Sequence, residues 1–428
     1  MKFFLMHRNH NIAELDINIA ETKIKVINIT NMERMPIGTI FGDDRKYIDD
    51  NMFEHWFRHR LIPDSRSGMG NIFRTCGIKN IFDAISKNYG FSLADSYWIK
   101  PENSSMTWEI GNYFDNRFDD SFGNISFGFN ESNVSLFSPD VATDGVLTKA
   151  WRINNGERYL LKKGRAPDYQ EPINEAFVSS MLKKISRVPY VKYKLVNVNG
   201  DICSLCKNFL NRDEEFVPAF MVYRAEEKQD NVEPYQHLVN MCNKLGIPDI
   251  TDFMDEMMSI DFLISNSDRH LGNFGFIRNA ETLIFTGAAP IFDNGTSLWG
   301  TTPTERILHD VEVAKPFKPL QEQQIELVSG YDWLDLTDLA DGDMLFETWL
   351  MKSNMPKERI DLLLMKFKER HLLFEKQVAK TLDWTKFFVP EMPITIDPKL
   401  RAMKEMKELV SEVTKTKKHR SEKDEIER

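Results

Sequence analysis

The run Asp268-Arg269-His270-Leu271-Gly272-Asn273, followed beyond a short predicted hairpin by Asp293-Asn294-Gly295, joins the residue types that phosphoryl transfer requires. Moving a phosphoryl group from ATP calls for little covalent help from a protein. An acidic group orients the attacking hydroxyl, and oxygen ligands hold magnesium against the phosphates. Asp268 suits the first task. Asn273 and Asp293 suit the second, because a hard cation takes oxygen ligands. His270 reads as a support of the loop through hydrogen bonds, and Arg269 as a surface arginine. Three fixed residues at about 5% frequency each recur by chance in roughly one chain of this length in twenty, so the surrounding elements decide how much the spacing means.

Those elements are arranged to present such groups. A helix carrying Phe253, Met254, Met257, Ile260 and Ile264 on one face, with Thr251 as its N-cap, is predicted to stop at Ser265-Asn266-Ser267, directly before Asp268. Residues 274–277 and 282–285 read as a hairpin, and a strand at 289–292 delivers Asp293 at its end. Upstream, strands are predicted at 134–137, 145–153, 158–162, 190–198 and 202–206, with turns at Asn154-Asn155-Gly156 and Asn199-Gly200. A helix follows Glu171, with apolar residues at 177, 178, 181, 182 and 185. Lys162, at a strand end, can pair with ATP phosphates, and Glu175 on that helix can pair with the lysine. Lys163 and Glu171 compete for these two roles, although alternation along a strand lets only one of the lysines face a cleft. Residues 143–149 form a candidate loop over the phosphates, where Gly145 allows close backbone approach. A further helix starts near Pro356 and buries Ile360, Leu363, Leu364 and Phe367. Strands, a helix and more strands followed by a mostly helical region make the fold class α+β.

Bulk properties set outer bounds. The chain has 428 residues, 42% of them hydrophobic, which suits an ordinary globular protein of two or three lobes. A net charge of −10 disfavours a protein that coats nucleic acid, so direct nucleic-acid binding is not expected. Four cysteines cannot form a disulfide framework in so long a chain, which points to a reducing, cytoplasmic setting. Cys203 and Cys206 fall three apart on a strand, face opposite sides and read as buried small hydrophobes. No run approaches the roughly 20 apolar residues of a membrane span, and the apolar start at 1–6 is too short for a signal peptide. Residues 1–130 read as a separate subdomain with scaffolding or docking character, within which 51–60 form a short amphipathic helix. Residues 396–428 read as a charged helix or tail.

Taken together these pieces resemble the HipA-like serine/threonine kinases of bacteria, above all their C-terminal catalytic region. The matching segments are Thr143-Asp-Gly145 to Lys149, Tyr159-Leu-Leu-Lys162, Glu171-Pro-Ile-Asn-Glu175, Asp261-Phe-Leu-Ile-Ser-Asn-Ser-Asp-Arg-His-Leu-Gly-Asn273 and Ile291-Phe-Asp-Asn-Gly295, in the family's order across 134–390. The resemblance implies a bilobal protein-kinase-like fold with ATP in the cleft. The smaller lobe would span 131–210, the mainly helical lobe 211–395, and residues 1–130 would be an extra N-terminal subdomain. It implies Asp268 as the catalytic aspartate, Asn273 and Asp293 as magnesium ligands, Lys162 as the nucleotide lysine, and Gly145 and Lys149 in the phosphate loop. Residues 205–209 would offer backbone contacts to adenine, and an activation segment would lie between Thr296 and about Leu320. The substrate would be a serine or threonine of a protein, with autophosphorylation and a regulatory partner protein as further expectations. Family toxins often carry a serine just before the phosphate-loop glycine, whose phosphorylation shuts the kinase off. Here that neighbourhood offers Ser138 and Thr143 instead. Residues 1–130 show no match to the toxin's N-terminal part, so an antitoxin-bound complex on DNA is not implied. The Asp-Arg-His-x-x-Asn run is also similar to phosphoinositide kinases. A small-molecule or lipid kinase, and a kinase-fold nucleotide-binding module without catalysis, therefore stand as alternatives.

Overall fold

The computed structural model describes residues 2–41, 47–63, 66 and 69–381. The segment expected as a charged tail at 396–428, and the last residues of the 211–395 region, lie outside the described residues.

The first sheet is antiparallel in the order β3-β2-β1-β6, from β1 (Lys2–His7), β2 (His10–Asn18), β3 (Lys23–Ile29) and β6 (Tyr97–Pro101). Alternation along β2 explains its placement: Ala13, Leu15 and Ile17 face the core, while Asp16 and Asn18 face solvent. Two short strands, β4 (Ile40–Phe41) and β5 (Tyr47–Ile48), pair with each other. Helix α1 (Asp50–Arg58) starts where the Asp49 carboxylate accepts the Asn51 and Met52 N–H groups. It buries Met52, Phe53, Trp56 and Phe57. Helices α2 (Met69–Cys76), α3 (Ile81–Asn88), α4 (Trp108–Gly111) and α5 (Ser121–Ser126) complete this region.

A second antiparallel sheet, ordered β7-β8-β10-β9, contains β7 (Lys149–Asn154), β8 (Glu157–Lys163), β9 (Tyr193–Val198) and β10 (Asp201–Lys207). Helix α6 (Glu171–Ile185) is buried almost all round. Its Phe177 meets Phe346 of α11 (Gly342–Leu350) at 4.7 Å and Phe367 of α12 (Lys357–Thr381) at 5.4 Å between ring centroids. A third sheet, β11 (Glu214–Pro218), β12 (Gly275–Asn279) and β13 (Phe285–Ala288), lies beside the helices α7 (Ala219–Tyr223), α8 (Pro234–Lys244), α9 (Ile250–Leu263) and α10 (Gln321–Gln324).

Several boundaries differ from the sequence reading: β9 starts at Tyr193 rather than 190, β13 lies at Phe285–Ala288 rather than 282–285, and the strand expected at 289–292 is a single bridge of Ile291 to Tyr190. Residues 134–137 are not a strand. The Ser138 hydroxyl accepts the Asp140 N–H and opens a 3-10 turn at Pro139–Ala142, a local bond that competes with sheet pairing. Strand β7 starts at Lys149 rather than 145, because Gly145 adopts φ +99 inside a loop. Helix α9 is capped by Asp249, not Thr251; the Asp249 carbonyl accepts the Phe253 N–H at 3.1 Å and so begins the ladder two residues earlier.

One continuous core links the N-terminal segment to everything after it. Phe3, Leu5, Phe53 and Phe57 belong to the same buried cluster as Phe177, Met257 and Phe367. Polar anchors reinforce the junction: buried Glu215 takes His7 at 2.9 Å on one oxygen and Arg278 on the other. No helix among the described residues is long and apolar enough to cross a membrane.

Candidate active site

Arg269 builds the loop that carries Asp268. Rather than lying on the surface, it is 0% exposed. Its Nε and Nη2 donate to the Asp261 carboxylate at 2.9 and 3.0 Å, and its Nη1 donates to the carbonyls of Asn273 at 2.8 Å and Phe292 at 2.7 Å. A fifth bond, from Nη2, reaches the Asn294 amide oxygen. One planar fork thus joins the end of α9, the Asp268 loop and the Asp293 segment. The signal that could have exposed this role is Asp261, a carboxylate between the buried apolar residues Ile260 and Phe262, because a buried charge requires a partner. Asn266 turns the chain, donating to Asp261 at 2.8 Å and accepting the Asp268 N–H at 3.0 Å. Asn273 donates its amide to the Asp268 carbonyl at 2.8 Å, which leaves its amide oxygen for another partner. His270 is exposed, and its Nδ1 accepts the Gly272 N–H at 3.0 Å, a bond within the loop.

Lys162 and Glu175 meet as an ion pair in the interior, and Asp293 approaches the same ammonium at 2.6 Å. The pleat of β8 separates the two lysines: Lys163 pairs with Asp201. One helical turn separates the two glutamates, and Glu171 pairs with Arg165. Ser204 of β10 donates to Glu175, and the Tyr193 ring lies 5.5 Å from the ammonium. Burial alone would lower the Lys162 pKa, but Asp293 and Glu175 outweigh it and hold the ammonium protonated. Burial alone would raise Asp293. The ammonium groups of Lys162 and Lys149 reverse that and hold it ionised, well below the usual carboxylate range. Asp293 sits at φ +57, a left-handed conformation reached just after the Tyr190–Ile291 bridge. Asn174 of α6 fixes the following turn through the carbonyls of Gly295 at 2.9 Å and Ser297 at 2.7 Å.

The 143–149 loop approaches the same cleft. Lys149 donates to the Asp144 carbonyl at 3.0 Å and lies against Gly145. Desolvation pushes its pKa down to about 8. Two residues from the N-terminal segment hold this loop from outside: Arg66 donates to the carbonyls of Gly145 and Thr143, and His59 meets Asp144 at 3.2 Å. Sequence reasoning missed both, since no local pattern connects residues so far apart in the chain. Ser138 is fully buried, and Thr143 is occupied by the Pro139 carbonyl and the Trp151 indole.

A cavity of about 450 Å³ gathers these groups: Gly145, Lys149, Lys162, Asp268, His270, Asn273 and Asp293 all line it. Its apolar lining includes Leu160, Val191 and Phe292. Residues 206–210 run along one wall. Among the described residues, no three His, Cys, Asp or Glu side chains form a metal cage. The Asp293 carboxylate and the Asn273 amide oxygen are a donor set that fits magnesium, which is typically held by one or two carboxylates together with substrate phosphates. Lys315, from the segment after Asp293, pairs with Asp268 at 2.8 Å.

Among solved structures, the chain is similar to HipA of Shewanella oneidensis MR-1, seen in a complex of the HipA, HipB toxin–antitoxin system with its operator DNA. That match has a TM-score of 0.54 and 12% identity, over 90% of this chain and 100% of that one. A proinflammatory kinase of Helicobacter pylori, CtkA, matches with a TM-score of 0.42 and 16% identity, over 55% of this chain and 95% of that one. No family model matches, and no curated protein matches. At these identities the likeness is one of fold: the chain is a mixed α+β protein with a fold similar to that of HipA.

Proposed function

We propose that this protein is an ATP- and magnesium-dependent kinase that transfers the γ-phosphoryl group to serine or threonine hydroxyls of a protein. The observation that carries the reading is the Lys162–Glu175–Asp293 cluster opening on a cavity that also holds Asp268 and Asn273. A fully buried ammonium held by two carboxylates has little value for stability. It does supply a preorganised positive charge for phosphates entering the cleft. Lys149 adds a second cation from the loop side. Asp268 would accept the proton of the attacking hydroxyl and orient it. Asn273 and Asp293 would hold magnesium through oxygen, and that ion would offset the charge on the transferring group. The apolar wall near Phe292 and residues 206–210 suits a purine ring, with backbone groups at its edge.

The test is incubation of the purified chain with ATP and magnesium, followed by intact-mass and peptide mass spectrometry. Phosphate on serine or threonine, lowered by about 10²–10⁴-fold in Asp268→Asn as for loss of a general base and absent in Asp293→Asn, is the expected result. ATP consumed only when a metabolite or lipid is added, with no labelled protein, would replace it with a small-molecule kinase. Tight ATP binding with no turnover on any substrate would leave a binding module.

A further inference from the structure

Two buried glutamines fix a hairpin-like loop against the Asp268 loop. Val313 and Leu320 bridge antiparallel, and the Ala314 N–H donates to the Pro319 carbonyl at 2.9 Å. Gln321, 1% exposed, donates to the carbonyls of Asn266 at 2.6 Å and Val313 at 3.0 Å. Gln324, 2% exposed, donates to the Lys315 carbonyl at 2.6 Å and accepts the Phe317 N–H at 3.1 Å. Phe317 anchors the tip in the core, with its ring 5.3 Å from Tyr235. Buried amides are costly unless bonded, and these two bond only to backbone of this loop or of the Asp268 loop. Their combined effect is to set the backbone at Lys315 relative to Asp268.

The side chain so placed is a half-exposed lysine whose Nζ lies 2.8 Å from Asp268 Oδ1. An ion pair this exposed adds little to stability, so two buried glutamines are a large investment for so small a return. In transfer, the accepting hydroxyl must lie within hydrogen-bond reach of Asp268 and at roughly 3–3.5 Å from the phosphorus it attacks. A cation against Asp268 is therefore next to the equatorial oxygens of the group in flight. Lys162 and Lys149 lie on the nucleotide side of the cleft, with Lys149 on the phosphate loop and Lys162 on β8. Lys315 is not among the residues lining the cavity that holds those two lysines, and it reaches Asp268 from the segment after Asp293.

We propose that Lys315 is a further catalytic residue, which contacts the transferred phosphoryl group from the acceptor side and stabilises its charge as it leaves ADP. The proposal rests on the transfer reading above. No proton moves on Lys315: the hydroxyl proton goes to Asp268, the new bond forms from hydroxyl oxygen to phosphorus, and the bond to the ADP oxygen breaks.

The experiment compares the full chain with Lys315→Ala, Lys315→Arg and Asp268→Asn, in transfer assays and in binding of ADP-magnesium with and without aluminium fluoride. Lys315→Ala should lower kcat about 10²-fold, as for loss of one charge-stabilising donor, with the KM for ATP and the affinity for ADP within about twofold. The extra affinity gained with aluminium fluoride, a mimic of the phosphoryl group in flight, should disappear. Lys315→Arg should recover most of both, which a purely structural contact through one Nζ would not require. If Lys315→Ala keeps kcat within threefold, or raises it as a displaced plug would, the proposal is overturned. A wild type that gains no affinity from aluminium fluoride and transfers nothing overturns the transfer reading, and Lys315 with it. Discrimination that survives in Lys315→Ala overturns Lys315 alone.

Discussion

Lys162 and Lys149 show how neighbouring groups give one residue type two behaviours. Lys162 keeps its proton because Asp293 and Glu175 surround it. Lys149 meets a backbone carbonyl instead, and desolvation pulls it down to about 8 while Asp293 only partly compensates. The sign of the consequence follows. Below pH 8 Lys149 is charged and attracts phosphate. As pH rises through its pKa the charge is lost, and binding must recover a proton. ATP affinity should therefore fall by about tenfold between pH 7 and pH 9, measured by titration calorimetry. Lys149→Met should bind ATP more weakly at pH 7 and show a flat profile over the same range. An unchanged profile in the variant would assign the titration elsewhere.

At the scale of elements, the Asp268 loop, the end of α9 and the Asp293 segment act as one piece because Arg269 bonds to all three. Arg269→Ala would leave Asp261 as a buried carboxylate without its ion-pair partner. It should cost about 3–5 kcal/mol, read as a lower urea midpoint with an unchanged slope. Arg269→Lys should recover little, because a point charge cannot reproduce the fork. Most elements were legible from pattern alone. The helix before Asp268, the first strand of the hairpin after it and the long helix near Pro356 appear where 3.6-residue and two-residue periodicities place them, while the hairpin's second strand lies at Phe285–Ala288 rather than 282–285. What pattern missed was local: Ser138 accepts the Asp140 N–H instead of joining a strand, and the helix ladder begins at the Asp249 carbonyl, two residues before Thr251.

At the scale of the molecule, residues 1–130 bear on the cleft beside Asp268 as well as on the core. Arg66 and His59 brace the 143–149 loop, and the His7–Glu215–Arg278 cluster joins the first strand to the third sheet. Burial would raise the Glu215 pKa, but Arg278 and His7 outweigh it and bring it down to about 2. A depressed carboxylate contributes stability above its unfolded value near 4.5, and loses it as pH falls through its folded value. From that shift Glu215 contributes about 3 kcal/mol at neutral pH, lost between about pH 4.5 and 2. Glu215→Gln should be less stable than wild type at pH 7, and the gap should close in acid. Chemical unfolding at pH 7 and pH 3 checks this. Since the core is continuous from Phe3 to Phe367, residues 1–381 should unfold in a single transition rather than in two.

Residue types and spacing were enough to pick out Asp268, Asn273 and Asp293 as candidates, because a site for handling phosphate draws on few side chains and these stand close in sequence to the turns that present them, while Lys162 and Glu175 stayed in competition with Lys163 and Glu171. Periodicity was enough for the α+β class, because burying one face of a helix or strand leaves a repeat in the chain. Only the tertiary structure could separate Lys162 from Lys163 and Glu175 from Glu171, since the choice depends on which partners, Asp293 or Asp201 and Lys162 or Arg165, each side chain meets. The same holds for Arg66, Arg269 and Lys315. Their significance lies in contacts with backbone and carboxylates brought together by folding, and no one-dimensional pattern records a contact of that kind.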